Sequence, residues 1–142
     1  MKITQYQVVI VNLDPTIGSE IKKTRPCVVV SPDEMNKHLK TIIIAPLTSA
    51  SKDYPTRIKV NYQKKEGWVV IDQICTIDKA RIIKVTEKLS NEEIQRIKQI
   101  LKETLVDWIY LHEVFYGGQL QMQQIFIKLR QIIFAYEKSI TL

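Results

Sequence analysis

"LSNEEIQRIKQILKETLVDWI", residues 89–109, marks the point where the hydrophobic period of this chain changes. Ile94, Ile97, Ile100, Leu101 and Leu105 recur at three- and four-residue intervals, the spacing that lines one face of an α-helix. Ser90, followed three residues on by Glu93, forms a capping box. In that motif the hydroxyl accepts the amide of the third helical residue, and the carboxylate reaches back to the N–H of the cap. One amphipathic helix is predicted to begin here, and what precedes it reads differently.

Upstream, short apolar runs alternate with turn-forming clusters. Val8 to Leu13 is a predicted strand ended by Asp14-Pro15, and residues 14–24 form a polar loop carrying Gly18. Cys27 to Val30 is a second strand, closed by Ser31-Pro32-Asp33 and followed by a polar segment at 34–40. Thr41 to Pro46 is a third. Arg57 to Tyr62 alternates basic and apolar residues, as a strand with one wet face does. Lys64 to Gly67 reads as a turn, Trp68 to Ile77 as a further strand and Ile82 to Val85 as a shorter one. Five or six short strands followed by one helix predict a mainly β (α+β) domain, an antiparallel sheet with the helix packed on it.

Past Asp107 the character shifts again. Residues 108–142 hold aromatics, glutamines, a Gly117-Gly118 break and a second amphipathic stretch with Met122, Ile125, Phe126, Leu129, Ile133 and Tyr136. The expected organisation is a β domain over 1–107 and a helical extension over 108–142. The apolar stripe of that extension is too wide for a lone exposed helix, so it is expected to pack on the same domain or its dimer.

At 142 residues the chain matches one domain in length, and 45% hydrophobic with 25% charged residues is ordinary for a globular protein. The net charge of +6 tilts towards polyanionic partners without demanding them. Two cysteines, Cys27 and Cys75, lie in apolar strand-like runs and are expected to be buried, reduced thiols. Two histidines, His38 and His112, are too few and too scattered for a zinc site, so neither metal nor cofactor is expected. The start of the chain is too weakly apolar for a signal peptide and no stretch reaches the length of a membrane span; the expected location is cytoplasmic.

The sequence has no G-x-S-x-G, Walker loop, H-E-x-x-H or G-x-G-x-x-G. It does have two loops rich in basic and hydroxyl residues. One is Ser19-Glu20-Ile21-Lys22-Lys23-Thr24-Arg25, leading into a core strand; the other is Thr48-Ser49-Ala50-Ser51, leaving one. Arginine presents a planar fork of donors matched to phosphate, while hydroxyls and a carboxylate position groups or take a proton. Such a set suits phosphoryl chemistry on a polyanion, where catalysis is largely positioning and charge stabilisation. On residues alone this signal is weak, and a solvated basic patch with ordinary turn chemistry is the commoner explanation of such loops.

The order of the pieces adds to this. "NLDPTIGSEIKKTRPCVVVSPD", "TIIIAPLTS", "YPTRIKV" and "GWVVIDQICTIDKARI" resemble the MazF/PemK/Kid family of toxin–antitoxin ribonucleases, over about residues 6–107. The resemblance implies a small SH3-like, PemK-type barrel with a C-terminal helix, acting as a homodimer. It implies metal-independent cutting of single-stranded RNA at short sequences, and a cognate antitoxin that blocks it. Position by position, it implies Arg25 and Thr48 as catalytic residues, with Glu20 as an acidic group at the same centre. Ser19, Lys22, Lys23, Ser49, Asp72 and Gln73 are the implied substrate contacts. Relatives carry an arginine where this chain has Cys75, and Gln5-Tyr6-Gln7 stands where Arg-Gly-Asp is common. Tyr54 and Tyr62 are candidate stacking platforms for unpaired bases, and Lys79 and Arg81 a basic edge. Two other readings stay open: a homologue that binds RNA or antitoxin with weakened catalysis, and a gyrase-directed toxin of the same fold. The latter class ends in Trp-Gly-Ile, whereas this chain ends in Ser-Ile-Thr-Leu.

Overall fold

A computed structural model describes residues 2–21, 23–51 and 54–107. The strands are β1 (Gln7–Asn12), β2 (Thr24–Val29), β3 (Thr41–Thr48), β4 (Arg57–Tyr62), β5 (Lys65–Val70), β6 (Cys75–Asp78) and β7 (Ile82–Lys88). A short helix, α1 (Asp33–His38), precedes β3, and α2 (Asn91–Leu105) follows β7. The pairings are antiparallel, in the order β4-β5-β3-β2-β1-β7, with β6 also paired to β3.

The sheet curls into a half-barrel, and side chains link its two end strands. Tyr62 donates its hydroxyl to Thr86 Oγ1 at 3.2 Å, and Gln63 N–H donates to Glu87 at 2.9 Å. Both faces of the central strands are covered, which explains runs such as VVIV and TIIIA that do not alternate. Val8, Val28, Ala45 and Leu47 face an inner core shared with Ile58, Val60, Val69 and with Ile94 and Ile97 of α2. Val9, Val11, Cys27, Val29, Ile42 and Ile44 form a second core on the other face.

The capping box at Ser90 forms as the spacing predicts, and Glu93 does more than cap. Its Oε2 accepts the Ser90 N–H at 2.9 Å, while its Oε1 accepts the Asn61 N–H of β4 at 2.7 Å. One buried carboxylate therefore ties the helix start to the sheet. Ile100 and Leu101 pack against the inner core as expected, but Leu105, in the last turn, is exposed.

Three expectations are corrected, and one element lies where none was assigned: the polar segment after Pro32 is helical in part, as α1. Buried Asn36 donates to the Ser31 carbonyl at 2.9 Å and accepts the Ser31 hydroxyl at 2.6 Å, which holds that turn on the sheet. The turn read at Lys64 to Gly67 is Gln63–Lys64, both at positive φ, and β5 already starts at Lys65. Two positive φ values match the twist of a hairpin, but the Asn-Gly marker that signals such a turn is absent. The run from Trp68 to Ile77 is interrupted by a 3-10 turn, Ile71–Gln73. The chain there passes from pairing with the end of β3 to pairing with its beginning, and Ile71 is buried at the bend. Cys75, expected to be buried, is exposed at the start of β6, whereas Cys27 is buried.

The compact unit containing the sheet and α2 ends at Val106. The expected helical extension at 108–142 lies outside the described residues, as does Lys22. Among the described residues no helix is long and apolar enough to cross a membrane.

Candidate active site

Antiparallel register brings the two notable loops together. Cys27 pairs with Pro46 and Val28 with Ala45 across β2 and β3. Arg25 and Thr48 each lie two residues beyond the Cys27–Pro46 pair, past the end of the β2–β3 pairing and on the same face by strand alternation. Arg25 therefore belongs to β2 itself, paired with Val11 of β1, rather than to the loop before it. Because β3 lies between β2 and β5 and ends at Thr48, the sheet opens beyond it into a cleft of about 330 Å³. Arg25, Pro26, Leu47, Thr48 and Ser49 line one side; Tyr62, Gln63, Lys65, Glu66 and Gly67 of the β4–β5 hairpin line the other.

Thr48 is oriented by its own turn. Its hydroxyl donates to the Ala50 carbonyl at 3.0 Å, and its oxygen accepts the Ala50 N–H at 3.4 Å. Gly67 lies against it: a Cβ there would stand 3.3 Å from the Thr48 carbonyl oxygen, so hairpin and strand end pack closely.

The other predicted residues divide into separate groups. Glu20 and Ser19 are exposed, and Glu20 Oε2 accepts the Ile17 N–H at 3.1 Å within its own turn. Glu20 is not among the residues lining the cleft. Gln73 Oε1 accepts the Ile21 N–H at 2.8 Å, anchoring the end of the same loop to the 3-10 turn. Lys23, at positive φ, is held through its N–H by Asp14 Oδ1 at 3.0 Å. The loop's beginning is held by Arg81, which donates to the carbonyls of Leu13 at 3.2 Å and Asp14 at 3.1 Å. Lys79 donates to the carbonyls of Asn36 and Leu39 at the end of α1. The basic edge read at Lys79 and Arg81 is thus engaged with backbone carbonyls.

Asp72 faces Arg57. Burial pushes the Asp72 carboxyl up, but hydrogen bonds from Arg57 and Thr56 outweigh it and hold the group below the usual carboxylate value. Sequence reasoning missed Arg57 as an organiser; the alternation of RIKVNY puts it on the wet face but does not show its partner. Of the two tyrosines, Tyr54 lies under the Arg57 guanidinium, 5.2 Å from ring centroid to carbon, while Tyr62 lines the cleft with its hydroxyl on Thr86. Burial pushes the Cys27 thiol up to about 12, with Cys75 adding to the rise and Arg25 opposing it. Among the described residues no cluster of His, Cys, Asp or Glu side chains is placed to hold a metal ion.

Fold and cleft define a class: a small curled antiparallel sheet with one packed helix, presenting an arginine and a threonine together where its central strand runs out. The family model described as "PemK-like, MazF-like toxin of type II toxin-antitoxin system" matches residues 4–105, and the chain belongs to that family. It is similar to the protein named "Endoribonuclease toxin MazF" of Escherichia coli (strain K12), 36% identical over 89 residues, 62% of this chain and 80% of that one. Among solved structures, MazF of Deinococcus radiodurans superposes with a TM-score of 0.67 at 22% identity, covering 74% of this chain and 97% of that one. An endoribonuclease in complex with its cognate antitoxin, from a mycobacterial species, gives a TM-score of 0.63 at 20% identity, covering 72% and 94%. At those identities the structures bear on the fold, which is the half-barrel with C-terminal helix that the resemblance implies.

Proposed function

We propose that this protein is a sequence-specific, metal-independent endoribonuclease that cuts single-stranded RNA, a growth-inhibiting toxin neutralised by a cognate antitoxin and acting as a cytoplasmic homodimer. The observation that carries the reading is that Arg25 and Thr48 line one cleft. Family membership and the endoribonuclease named at 36% identity support it.

In this mechanism the ribose 2′-oxygen attacks the adjacent phosphorus and the bond from phosphorus to the 5′-oxygen breaks. The products are a 2′,3′-cyclic phosphate and a free 5′-OH. Arg25 faces the charge that develops on the phosphorane oxygens. Its place on a strand rather than a free loop, with φ-restricted Pro26 next to it, keeps that fork in position before substrate arrives. Thr48 turns its hydroxyl from the Ala50 carbonyl to a phosphate oxygen. The 2′ proton leaves to water, with Glu20 on the loop entering β2 as the carboxylate nearest in sequence, and the leaving 5′-oxygen is protonated from the Arg25 side. Lys22, Lys23, Ser19 and Ser49 bind flanking phosphates, which makes affinity fall with salt.

The deciding experiment incubates the purified protein with a long mixed-sequence RNA in EDTA and maps the cut ends. Cyclic-phosphate and 5′-OH ends are expected; a 2′-deoxy nucleotide at the cut site stops the reaction, and so does Arg25→Ala with the fold intact. Undiminished cutting by Arg25→Ala overturns the assignment.

A further inference from the structure

We infer that Trp68 is a stacking platform for a nucleobase beside the scissile phosphate, with Lys59 next to it as a contact for a neighbouring phosphate. The inference rests on the ribonuclease reading and names a subsite within it.

It begins with register. Thr48 pairs with Trp68 across β3 and β5, and Trp68 pairs with Lys59 across β5 and β4. Directly opposed residues of antiparallel strands place their side chains on the same face, with Cβ atoms about 5 Å apart. Arg25 and Thr48 line the same cleft. Thr48, Trp68 and Lys59 therefore form one row across β3, β5 and β4, with Arg25 lining the cleft beside Thr48 and the indole next to Thr48 just outside that cleft's lining.

The chemistry along that row suits an unpaired nucleotide. Trp68 is partly exposed, whereas its neighbours Gly67 and Val69, on the opposite face, are buried. The Lys59 side chain is 50% exposed and pairs with Glu66 at 2.9 Å. A surface ion pair of this kind contributes little to stability, so a phosphate can replace the carboxylate at small cost. An indole presents a wide π-face on which any base can stack, and splayed single-stranded bases are read in this way. The two tyrosines near the site are committed elsewhere, Tyr54 beneath Arg57 and Tyr62 to Thr86.

Trp68 touches no reacting bond in this arrangement, so its loss weakens binding and leaves the chemical step alone. Once the cut site has been mapped, short RNAs containing it, each with one abasic nucleotide flanking the cut, are compared on wild type, Trp68→Ala and Trp68→Phe. Trp68→Ala is expected to raise KM about 10-fold or more with kcat nearly constant, and Trp68→Phe to stay close to wild type. One abasic position should penalise wild type by the same factor and Trp68→Ala not at all. Unchanged KM in Trp68→Ala, or equal abasic penalties in both proteins at every position, overturns the inference. Trp68→Leu, which keeps apolar volume without the π-face, replaces the alanine variant if that one fails to fold.

A second readout separates this inference from the reading beneath it. Trp108→Phe leaves Trp68 as the sole tryptophan. Single-stranded RNA made uncleavable by a 2′-deoxy nucleotide at the cut site should quench its emission. If wild type cuts no RNA, the ribonuclease reading fails; quenching of Trp68 by single-stranded homopolymer RNA then supports the platform, and absence of quenching overturns it.

Discussion

Arg57 grips both carboxylate oxygens of Asp72, Nε to Oδ1 at 3.1 Å and Nη2 to Oδ2 at 3.2 Å. Its Nη1 donates to Ser51 Oγ at 2.7 Å, and Asp72 Oδ1 also accepts the Thr56 hydroxyl at 2.8 Å. One guanidinium thus joins the 3-10 turn after β5 to the loop that leaves Thr48. Gln73, the next residue in that turn, holds the loop that enters β2. The Asp-Gln pair is therefore a two-sided tether, one residue for each loop bordering the cleft.

Removing the fork should loosen one side of that tether. Arg57→Ala leaves the exposed Asp72 carboxylate with Thr56, and the expected cost, screened by solvent, is about 1 kcal/mol in urea unfolding. Arg57→Lys should recover little of it, because an ammonium cannot reproduce the bidentate geometry. RNA cutting should fall in both through kcat, since the loop that orients Thr48 loses its anchor. Full cutting by Arg57→Ala would show that Thr48 is positioned without it.

Releasing the other side should show in local rather than global stability. Gln73→Ala frees the Ile21 N–H, and trypsin should then cut faster at Lys23 while the melting temperature hardly moves. Equal proteolysis rates in the two proteins would dissociate Gln73 from the order of this loop.

Acid should unfold the domain through two carboxylates in particular. Burial raises both Asp72 and Glu93, but hydrogen bonds outweigh it and hold each below its ordinary value. For Glu93 the donors are the Asn61 N–H and then the Ser90 hydroxyl and N–H, with the charge of Arg96 adding to them. A depressed folded value contributes stability that is complete above the unfolded pKa, about 4, and disappears as pH falls through the folded one. Melting temperatures measured from pH 7 downwards should therefore drop steeply below about pH 4. Glu93→Gln should flatten that fall, and Glu93→Ala should cost about 1–3 kcal/mol at neutral pH by orphaning the Asn61 N–H and the helix cap.

The two thiols should react very differently. Cys27, buried and raised to about 12, should label only when the protein unfolds. Cys75 is exposed, but partial desolvation and the charge of Glu20 raise its pKa against the opposing pull of Arg81. It should label more slowly than a free cysteine at neutral pH, and faster as pH rises. Glu20→Gln should accelerate it, because a negative charge opposing the thiolate is gone. An unchanged rate would place Glu20 too far from Cys75 to matter.

Most strands and the main helix were legible because they rest on periodicity and local hydrogen bonding. Ile94 and Ile97 face the core as their spacing requires, and Ser90 and Glu93 cap each other across three residues. The hairpin turn at Gln63–Lys64 was misplaced because neither residue type announces a positive φ; the strand pairing imposes it. The break at Ile71–Gln73 was invisible because Trp-Val-Val-Ile is apolar throughout. What bends it is the switch of its pairing along β3, a non-local event.

The same division holds at the cleft. Residue order alone determined that a basic, hydroxyl-bearing loop precedes one core strand and a Thr-Ser pair follows another, because those are chemical identities and short-range patterns. It also determined the helix start, whose donors and acceptors lie within one turn of each other. Tertiary structure decided that Arg25 and Thr48 line one cleft, that Trp68 pairs beside Thr48, and that Asp72 and Gln73 tether two loops. Those relations depend on which strand pairs with which and in what register. Register is settled by burying both faces of the sheet at once, a sum over the whole fold that no single stretch contains.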